Sequence, residues 1–517
     1  MTKLGVLDIG TNSIHMVLAE VEPDFSYKIL DRFKDMTRLG DGTFETKRLS
    51  EAAMARGLEV IKTLATLARN KGYERIEAVA TSAVREAKNG GEFIEAVARQ
   101  TGLTVRVVTG QEEARLIYLG VRHSMDLSGK PTLIVDVGGG SVELIAGTDR
   151  ALLKGQSLKL GAIRLKDLFL RRDPPSKSMI KDLRRTVESA IHGALRRFRV
   201  RHFSRLVGTS GMIGNLAEVI HLRRTGRPLA QANMATLTLK EVQEVEKALY
   251  GADFTSRLAI PGLDPKRADT LLPATTVLRS LMERADQDVL TVSTSAIREG
   301  LIYDFIARHG EGLRVEQEIP NIRRRNIISL ARRCEYPETH SHHVAKLALR
   351  LFDATTSLHE LGDAEREQLE YAALLHDVGY HINARQHHKH AYYLITNSDV
   401  RGFTADEIET IAHVARYHRR AWPQQKHDSW KALPSPQRKL VEKLSALLRI
   451  ADGLDRSHFS VVRSFRVKVD KKVSLYLDTI SDSELEIWAA RGRADLFERV
   501  FRRPVEFHVN RLHQERS

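Results

Sequence analysis

Asp136-Val137-Gly138-Gly139-Gly140-Ser141-Val142-Glu143 sets a glycine-rich turn between two apolar strands. The chain carries the same device 128 residues earlier, as Asp8-Ile9-Gly10-Thr11-Asn12-Ser13-Ile14-His15. Glycine lets several backbone N–H groups converge on one anion, because no Cβ blocks the approach. One such turn is an ordinary hairpin. A second repeat decides the reading: Ala80-Thr81-Ser82-Ala83-Val84-Arg85-Glu86 returns as Ser293-Thr294-Ser295-Ala296-Ile297-Arg298-Glu299, again after its hairpin. Two repeats in the same order predict a duplicated α/β domain, with a ligand in the cleft between the copies.

Working outward, residues 4–9, 14–20, 76–81 and 104–109 read as strands, and 50–71 as a helix with apolar residues at helical spacing and Gly72 as its stop. The second copy repeats this with strands at 133–137, 142–147, 205–208 and 289–293. After Pro320 the chain turns helical and histidine-rich to about residue 457, and ends in a hairpin, 465–469 and 473–477, with a short helix and a further strand. The expected division is 1–125 and 126–310 for the two α/β copies, 311–460 for the helical part and 461–517 for a small α+β part.

Composition narrows the class. A chain of 517 residues predicts three or four domains. Its one cysteine, Cys334, excludes a disulfide framework and a Cys-rich zinc site. There is no run of 18 apolar residues for a membrane span, and Gly5 and Asp8 come too early for a signal peptide. A cytoplasmic protein with no membrane partner is expected. The net charge of +15 favours polyanionic partners. It is uneven: Arg171, Arg172, Lys177, Lys181, Arg184, Arg185, Arg196, Arg197, Arg199, Arg201 and Arg205 form one cluster, and Arg323, Arg324, Arg325, Arg332 and Arg333 another. Each reads either as a solvated helix face or as a track for a phosphate chain. No nucleic-acid-reading motif accompanies them, so no specific nucleic-acid partner is expected.

The turns Gly10-Thr11-Asn12-Ser13 and Gly138-Gly139-Gly140-Ser141 are candidate phosphate sites. Centring the second turn between Gly139 and Gly140 sets Asp136 opposite Glu143, with Cβ atoms about 4.5–5.5 Å apart. Two carboxylates that close repel unless one is protonated or a cation joins them, and hard oxygen donors suit Mg²⁺. In the first hairpin the equivalent pair is Asp8 and His15, which needs no metal. Gly208-Thr209-Ser210-Gly211 follows a strand and opens an apolar helix, a third phosphate cradle. Arg85 and Arg298 end the repeated unit and offer a bidentate grip on phosphate. Thr109-Gly110-Gln111-Glu112-Glu113 opens a helix. One of its glutamates is a candidate general base, the alternative being two complements to the helix dipole.

In the last third, His340, His376, Asp377, His390, His418 and Asp452 lie among apolar residues. Neutral imidazoles with carboxylates make a ligand set for Zn, Fe or Mn. His342, His343, His387, His388 and His413 read as surface groups or as groups behind the ligands.

At these residues the chain resembles the Ppx/GppA phosphatase family, the exopolyphosphatases and guanosine pentaphosphate phosphohydrolases. The segments are DIGTNSIHMVLAE (8–20), ATSAVREA (80–87), TGQEEARLIYLGV (109–121), VDVGGGSVELI (135–145), VGTSGMIGNLAEV (207–219) and STSAIREG (293–300). The resemblance implies two ribonuclease-H-like domains of the actin and sugar-kinase superfamily around a phosphate cleft. Water would attack the terminal phosphorus of inorganic polyphosphate or, as the alternative, of pppGpp. It further implies Glu113 as base, Asp136 and Glu143 as magnesium ligands, Arg85 on phosphate, K⁺ as activator and a homodimer. The order His…His-Asp…Asp resembles the HD phosphohydrolase domain, so the helical part reads as structural, as a metal-bound module or as a second hydrolase site. A sugar-kinase-like or actin-like ATPase and a non-catalytic binding module stand as distant alternatives.

Overall fold

The computed structural model describes residues 2–22, 26–127, 129–198, 200, 202–309, 321–398 and 400–511. It divides into two compact units, Met1–Ile322 and Arg323–Ser517. The expected boundary at 310/311, and Arg199 and Arg201 of the first basic cluster, lie outside the described residues.

The first unit holds two sheets of like design. Strands β1 (Thr2–Ile9), β2 (Ile14–Val21), β3 (Tyr27–Asp35), β4 (Ile76–Ala80) and β5 (Val105–Val107) line up as β3-β2-β1-β4-β5. The first three are antiparallel and the last two join parallel to β1. Strands β6 (Thr132–Val137), β7 (Val142–Gly147), β8 (Leu152–Leu158), β9 (Arg205–Thr209), β10 (Thr236–Thr238) and β11 (Val289–Ser293) line up as β10-β11-β9-β6-β7-β8. The order and directions of the first sheet recur there, with β10 added antiparallel at the edge. This is the ribonuclease-H-like arrangement, present twice.

Each sheet buries both faces, so its central strands are almost continuously apolar. Helices Glu51–Asn70 and Gly90–Thr101 cover one face of the first sheet. Helices Lys177–Phe198, Gly211–Thr225 and Leu271–Arg284 cover one face of the second. Between the sheets runs a shared core built on helices Gly110–Arg122 and Ile297–His309, which draws Leu4, Val6 and Val17 from one sheet and Ile134, Ile145 and Val207 from the other. These two helices meet at Gly120, whose missing side chain leaves room for the Ala296 carbonyl, and at Gly300, seated on the Leu116 carbonyl. Any Cβ there would force the backbones apart. The close approach holds the start of helix Gly110–Arg122 between the two halves.

The second unit is a helical bundle, with helices Ile322–Arg333, Glu338–Ala354, Asp363–Leu375, His387–Thr396, Ala405–Arg416 and Ser435–Gly453. A three-stranded sheet follows, β12 (Val462–Val469), β13 (Val473–Thr479) and β14 (Val505–Arg511), with β13 central. The expected hairpin is there. Two short helices, Glu484–Arg491 and Asp495–Phe501, stand before β14 where one was read. Two members of the second basic cluster are held in internal ion pairs: Arg323 meets Glu367 at 3.0 Å and Glu407 at 2.6 Å, and Arg324 meets Glu370 at 2.9 Å. No described helix is long and apolar enough to cross a membrane.

Candidate active site and a candidate metal centre

The two glycine turns are built alike. Gly10 N–H donates to the Ser13 carbonyl and Gly138 N–H to that of Ser141, both at 3.0 Å. The register then sets Asp8 opposite His15 and Asp136 opposite Glu143, the juxtaposition the spacing predicts. The turns also meet each other. A Cβ on Gly139 would stand 3.1 Å from Thr11 Cβ and 3.3 Å from Asn12 Cβ, and one on Gly140 would strike Ser82 and Phe44.

Together they line a cleft of about 410 Å³. It takes in Gly10 to Ser13, Gly138 to Ser141, Ser210, Gly211, Glu113, Asp136 and Arg298 from the sequence reading. Ser210 has φ 121° and ψ 164°, a region populated almost only by glycine. Its Oγ accepts from Met212 N–H and Ile213 N–H and caps helix Gly211–Thr225, so the strain sits at an anion-ready helix start. Gly208 and Thr209 stand just behind this in β9 and do not line the cleft.

Of the paired glutamates, Glu112 turns outward to Arg115 at 2.8 Å and Arg106 at 3.3 Å. Glu113 turns inward and is 8% exposed. Arg85 donates to Glu113 at 2.8 Å and to the Val108 carbonyl at 2.8 Å. This arginine, read from sequence as a phosphate ligand, is therefore engaged by the candidate base and does not line the cleft. Arg298 does line it, and donates to His15 Nδ1 at 2.5 Å. An arginine only donates, so Nδ1 accepts and the proton sits on Nε2, which meets Ser13 Oγ at 2.8 Å. Burial first, then Arg298, holds His15 down to about 2, hence neutral.

Four carboxylates converge here: Glu113 and Glu143, both buried, and Asp8 and Asp136, both half-buried. Burial, then repulsion from Glu143, raises Glu113 well above the ordinary range, with Arg85 opposing. Asp136 is raised well above its range by burial and by Glu113 and Asp8. Asp8 stands near 6 through burial, and Glu143 near 7 through burial and Asp136. Asp8, Glu113 and Asp136 line the cleft. Glu143 sits behind it, accepting from Ser157 Oγ at 2.7 Å. So much buried negative charge favours either protons or a cation, and an all-oxygen donor set fits a hard divalent ion.

Sequence reading missed three basic groups that line the cleft, Arg32, Lys34 and Arg267. Arg267 ends a short 3-10 helix, Pro265–Arg267, that carries no motif, and it comes to the cleft because Gly211 leaves room for its guanidinium. Thr81 and Ser82 also line it; their signal was the repeated Thr-Ser of the second motif.

In the other unit His340, His376, Asp377, His418 and Asp452 come together, buried, with ligand atoms within 4.8 Å in overlapping groups. His340 Nε2 is 3.7 Å from Asp377 and 3.6 Å from Asp452, and His376 Nε2 is 3.4 Å from Asp377. The other ring nitrogens are occupied: His340 Nδ1 by Asp455 at 2.8 Å, His376 Nδ1 by the Ala373 carbonyl at 2.7 Å, His418 Nδ1 by the Ala415 carbonyl at 2.6 Å. Nδ1–H donation leaves Nε2 as a free lone pair, and buried Nε2 of His340 and His376 has no hydrogen-bond partner. Such orphaned, inward-facing nitrogens beside carboxylates fit a metal ion. His387, read from sequence as peripheral, stands here at 3.2 Å from Asp377. His390, three residues on in the same helix, joins none of these groups among the described residues. His458 shares one group, its ring stacked 3.6 Å from that of His340.

Two ribonuclease-H-like domains thus bring paired glycine turns and a carboxylate cluster to one cleft. The Ppx/GppA phosphatase family matches residues 17–309, and its domain III matches 322–480. The chain belongs to this family, and is a hydrolase acting on phosphoanhydride bonds. The Ppx/GppA family member from Aquifex aeolicus is 27% identical over 60% of this chain and 99% of its own, with a TM-score of 0.52. An exopolyphosphatase from Cytophaga hutchinsonii is 28% identical over 59% of this chain and 98% of its own, with a TM-score of 0.56.

Proposed function

We propose that the protein is an exopolyphosphatase that removes the terminal phosphate of inorganic polyphosphate in the cleft between its first two domains. The observation that carries this is Glu113, buried on a helix start, held by Arg85 and facing two phosphate-sized glycine turns. Backbone N–H groups of the turns and of the Ser210–Gly211 helix start bind phosphate oxygens. Arg298, Arg267 and Lys34 offset the charge of the chain. Glu113, its carboxylate basicity raised by burial, takes the proton of the attacking water. Asp136 and Glu143, with Asp8 beside them, would hold Mg²⁺, which supplies charge neutralisation on the reacting phosphoryl group.

In the second unit, His340, His376, Asp377, His418 and Asp452, with His387 replacing His390, form the proposed metal centre of an HD-type domain. The orphaned Nε2 atoms favour that over a purely structural domain.

The test is phosphate release from long-chain polyphosphate and from pppGpp with Mg²⁺, for wild type and Glu113→Gln. The reading predicts higher kcat/KM on polyphosphate and a loss of about 10²–10⁴ in Glu113→Gln. Preference for pppGpp would move the assignment to the nucleotide. Full activity in Glu113→Gln would overturn the site.

A further inference from the structure

A second basic groove lies outside the cleft. Helix Lys177–Phe198 buries Leu183, Val187, Ile191 and Ala194 against the second sheet's core. Its outer face carries Lys177, Lys181, Arg184 and Arg185, spaced so that they fall on one stripe. With Lys247 and Tyr250 of helix Leu239–Tyr250 they line a groove of about 610 Å³. It shares no lining residue with the cleft.

The floor of the groove is fixed. Glu246, buried, accepts from Arg184 at 3.0 Å, Arg279 at 2.9 Å and Thr276 Oγ1 at 2.9 Å. Arg184 lies over the Tyr250 ring, 5.2 Å from its centre. The walls are different. Lys177, Lys181, Arg185 and Lys247 are exposed and make no ion pair among the described residues. The one carboxylate on the lining, Glu188, stands 3.8 Å from Arg284.

The groove is connected to the cleft by covalent structure. Helix Ala162–Phe169 starts on the second glycine turn: Ala162 N–H donates to the Gly138 carbonyl at 2.9 Å and Ile163 N–H to that of Gly139 at 2.8 Å. Its eight residues lead about 12 Å away from the turn. Exposed Arg171 and Arg172 follow, then Lys177. The chain that links cleft and groove thus carries two exposed arginines, of which Arg171 stands 3.7 Å from Glu45. The stripe from Lys177 to Glu188 is about 16 Å long, room for several phosphates in a row.

We propose that this groove is a second binding site for a linear polyanion, and that it holds the distal part of a polyphosphate chain whose end lies in the cleft. This rests on the polyphosphate reading above. Single-stranded nucleic acid is the poorer occupant. Such strands bind on aromatic faces, and the only aromatic ring here, Tyr250, is half-buried, capped by Arg184 and tied through its hydroxyl to Thr276 at 2.7 Å.

The experiment uses the full chain with Lys181→Ala, Arg185→Ala and Lys247→Ala combined. Binding of labelled long-chain polyphosphate is measured by anisotropy in the Glu113→Gln background, so that no turnover is needed. The dissociation constant should rise about tenfold or more, and the slope of log affinity against log salt should flatten by about 2, the loss of three contacts. With Glu113 intact, the ratio of kcat/KM on long chains to that on tripolyphosphate should fall about tenfold. Unchanged affinity and an unchanged ratio would overturn the groove. So would tighter groove-dependent binding of an oligothymidylate of equal charge. If the wild type released no phosphate from polyphosphate, the catalytic reading would fail, while the binding comparison would still decide the groove. An unchanged melting temperature in the triple variant separates lost binding from lost folding.

Discussion

Arg85 and Glu113 are joined by a 2.8 Å hydrogen bond in a buried setting, where Glu113 also feels the like charges of Glu143 and Asp8. Among the described residues, the arginine is the group that pulls that carboxyl down. It follows that Arg85 favours the ionised form of the proposed base. A general base works only when unprotonated, and removing a lowering influence raises its pKa. In Arg85→Ala the acidic limb of the rate profile, measured with saturating Mg²⁺, should move to higher pH by about one unit. An unshifted limb with lower activity would make Arg85 a phosphate ligand instead.

Glu112 and Glu113 are neighbours with opposite environments. Glu112 is half-buried in a surface network with Arg115 and Arg106, whereas Glu113 faces the cleft. Glu112→Gln should cost at most about 1 kcal/mol of stability and leave kcat within about twofold, since surface ion pairs contribute little. Equal losses of activity in Glu112→Gln and Glu113→Gln would contradict the separation.

Glycine positions offer a graded test of turn geometry. A methyl on Gly139 meets Thr11 and Asn12 at 3.1–3.3 Å, so Gly139→Ala should push the two glycine turns apart. The expected cost is about 1–3 kcal/mol in stability, with a larger proportional loss in kcat/KM. Gly91 in helix Gly90–Thr101 has nothing within 4 Å of its would-be Cβ. Gly91→Ala should be neutral or stabilising by up to about 1 kcal/mol in thermal unfolding.

In the second unit, metal content by mass spectrometry separates ligands from bystanders. His376→Ala and Asp377→Ala should strip the ion. His390→Ala should keep it, because that ring joins none of the ligand groups. Asp455→Ala, which frees His340 Nδ1, should weaken affinity about 10–100-fold without abolishing it. Metal-free wild type would leave the cluster a polar network only.

What was legible in the sequence is local. The hairpins, their facing residues and the repeated Thr-Ser-Ala motif follow from spacing alone, because strand period and turn length set the register. Strands β3, β8 and β10 were not read. The residues of β3 alternate half-buried with exposed, as edge-side strands do, and Lys28, Asp31, Arg32 and Lys34 hide the apolar signal; β8 buries none of its residues fully. The unread β3 brings Arg32 and Lys34 to the cleft, so missing the strand meant missing the cations. Arg267 arrives through tertiary packing against Gly211, which no local pattern announces. His387 and His390 sit less than one turn apart, and only the rotation of their helix decides which reaches Asp377.

Arg38 and Asp269 tie the two halves of the cleft. Arg38 N–H donates to the Asn12 carbonyl, on the first glycine turn, and its guanidinium meets Asp269 of the second domain at 2.8 Å. Lys166 joins Asp269 at 3.0 Å. Burial alone would raise the Asp269 carboxyl, but Arg38 and Lys166 overcome it and hold it below its ordinary value. A depressed pKa contributes stability that is present above the unfolded value, near 3.9, and fades as pH falls through the folded one. Asp269→Asn should therefore lower the melting temperature at neutral pH, by about 1 kcal/mol of stability given its partial exposure. The gap from wild type should close below about pH 4. Because the bridge also positions Thr11 and Asn12 against Gly139, KM should rise more than kcat falls. A gap that persists in acid would mean that the loss comes from packing and not from the ion pair.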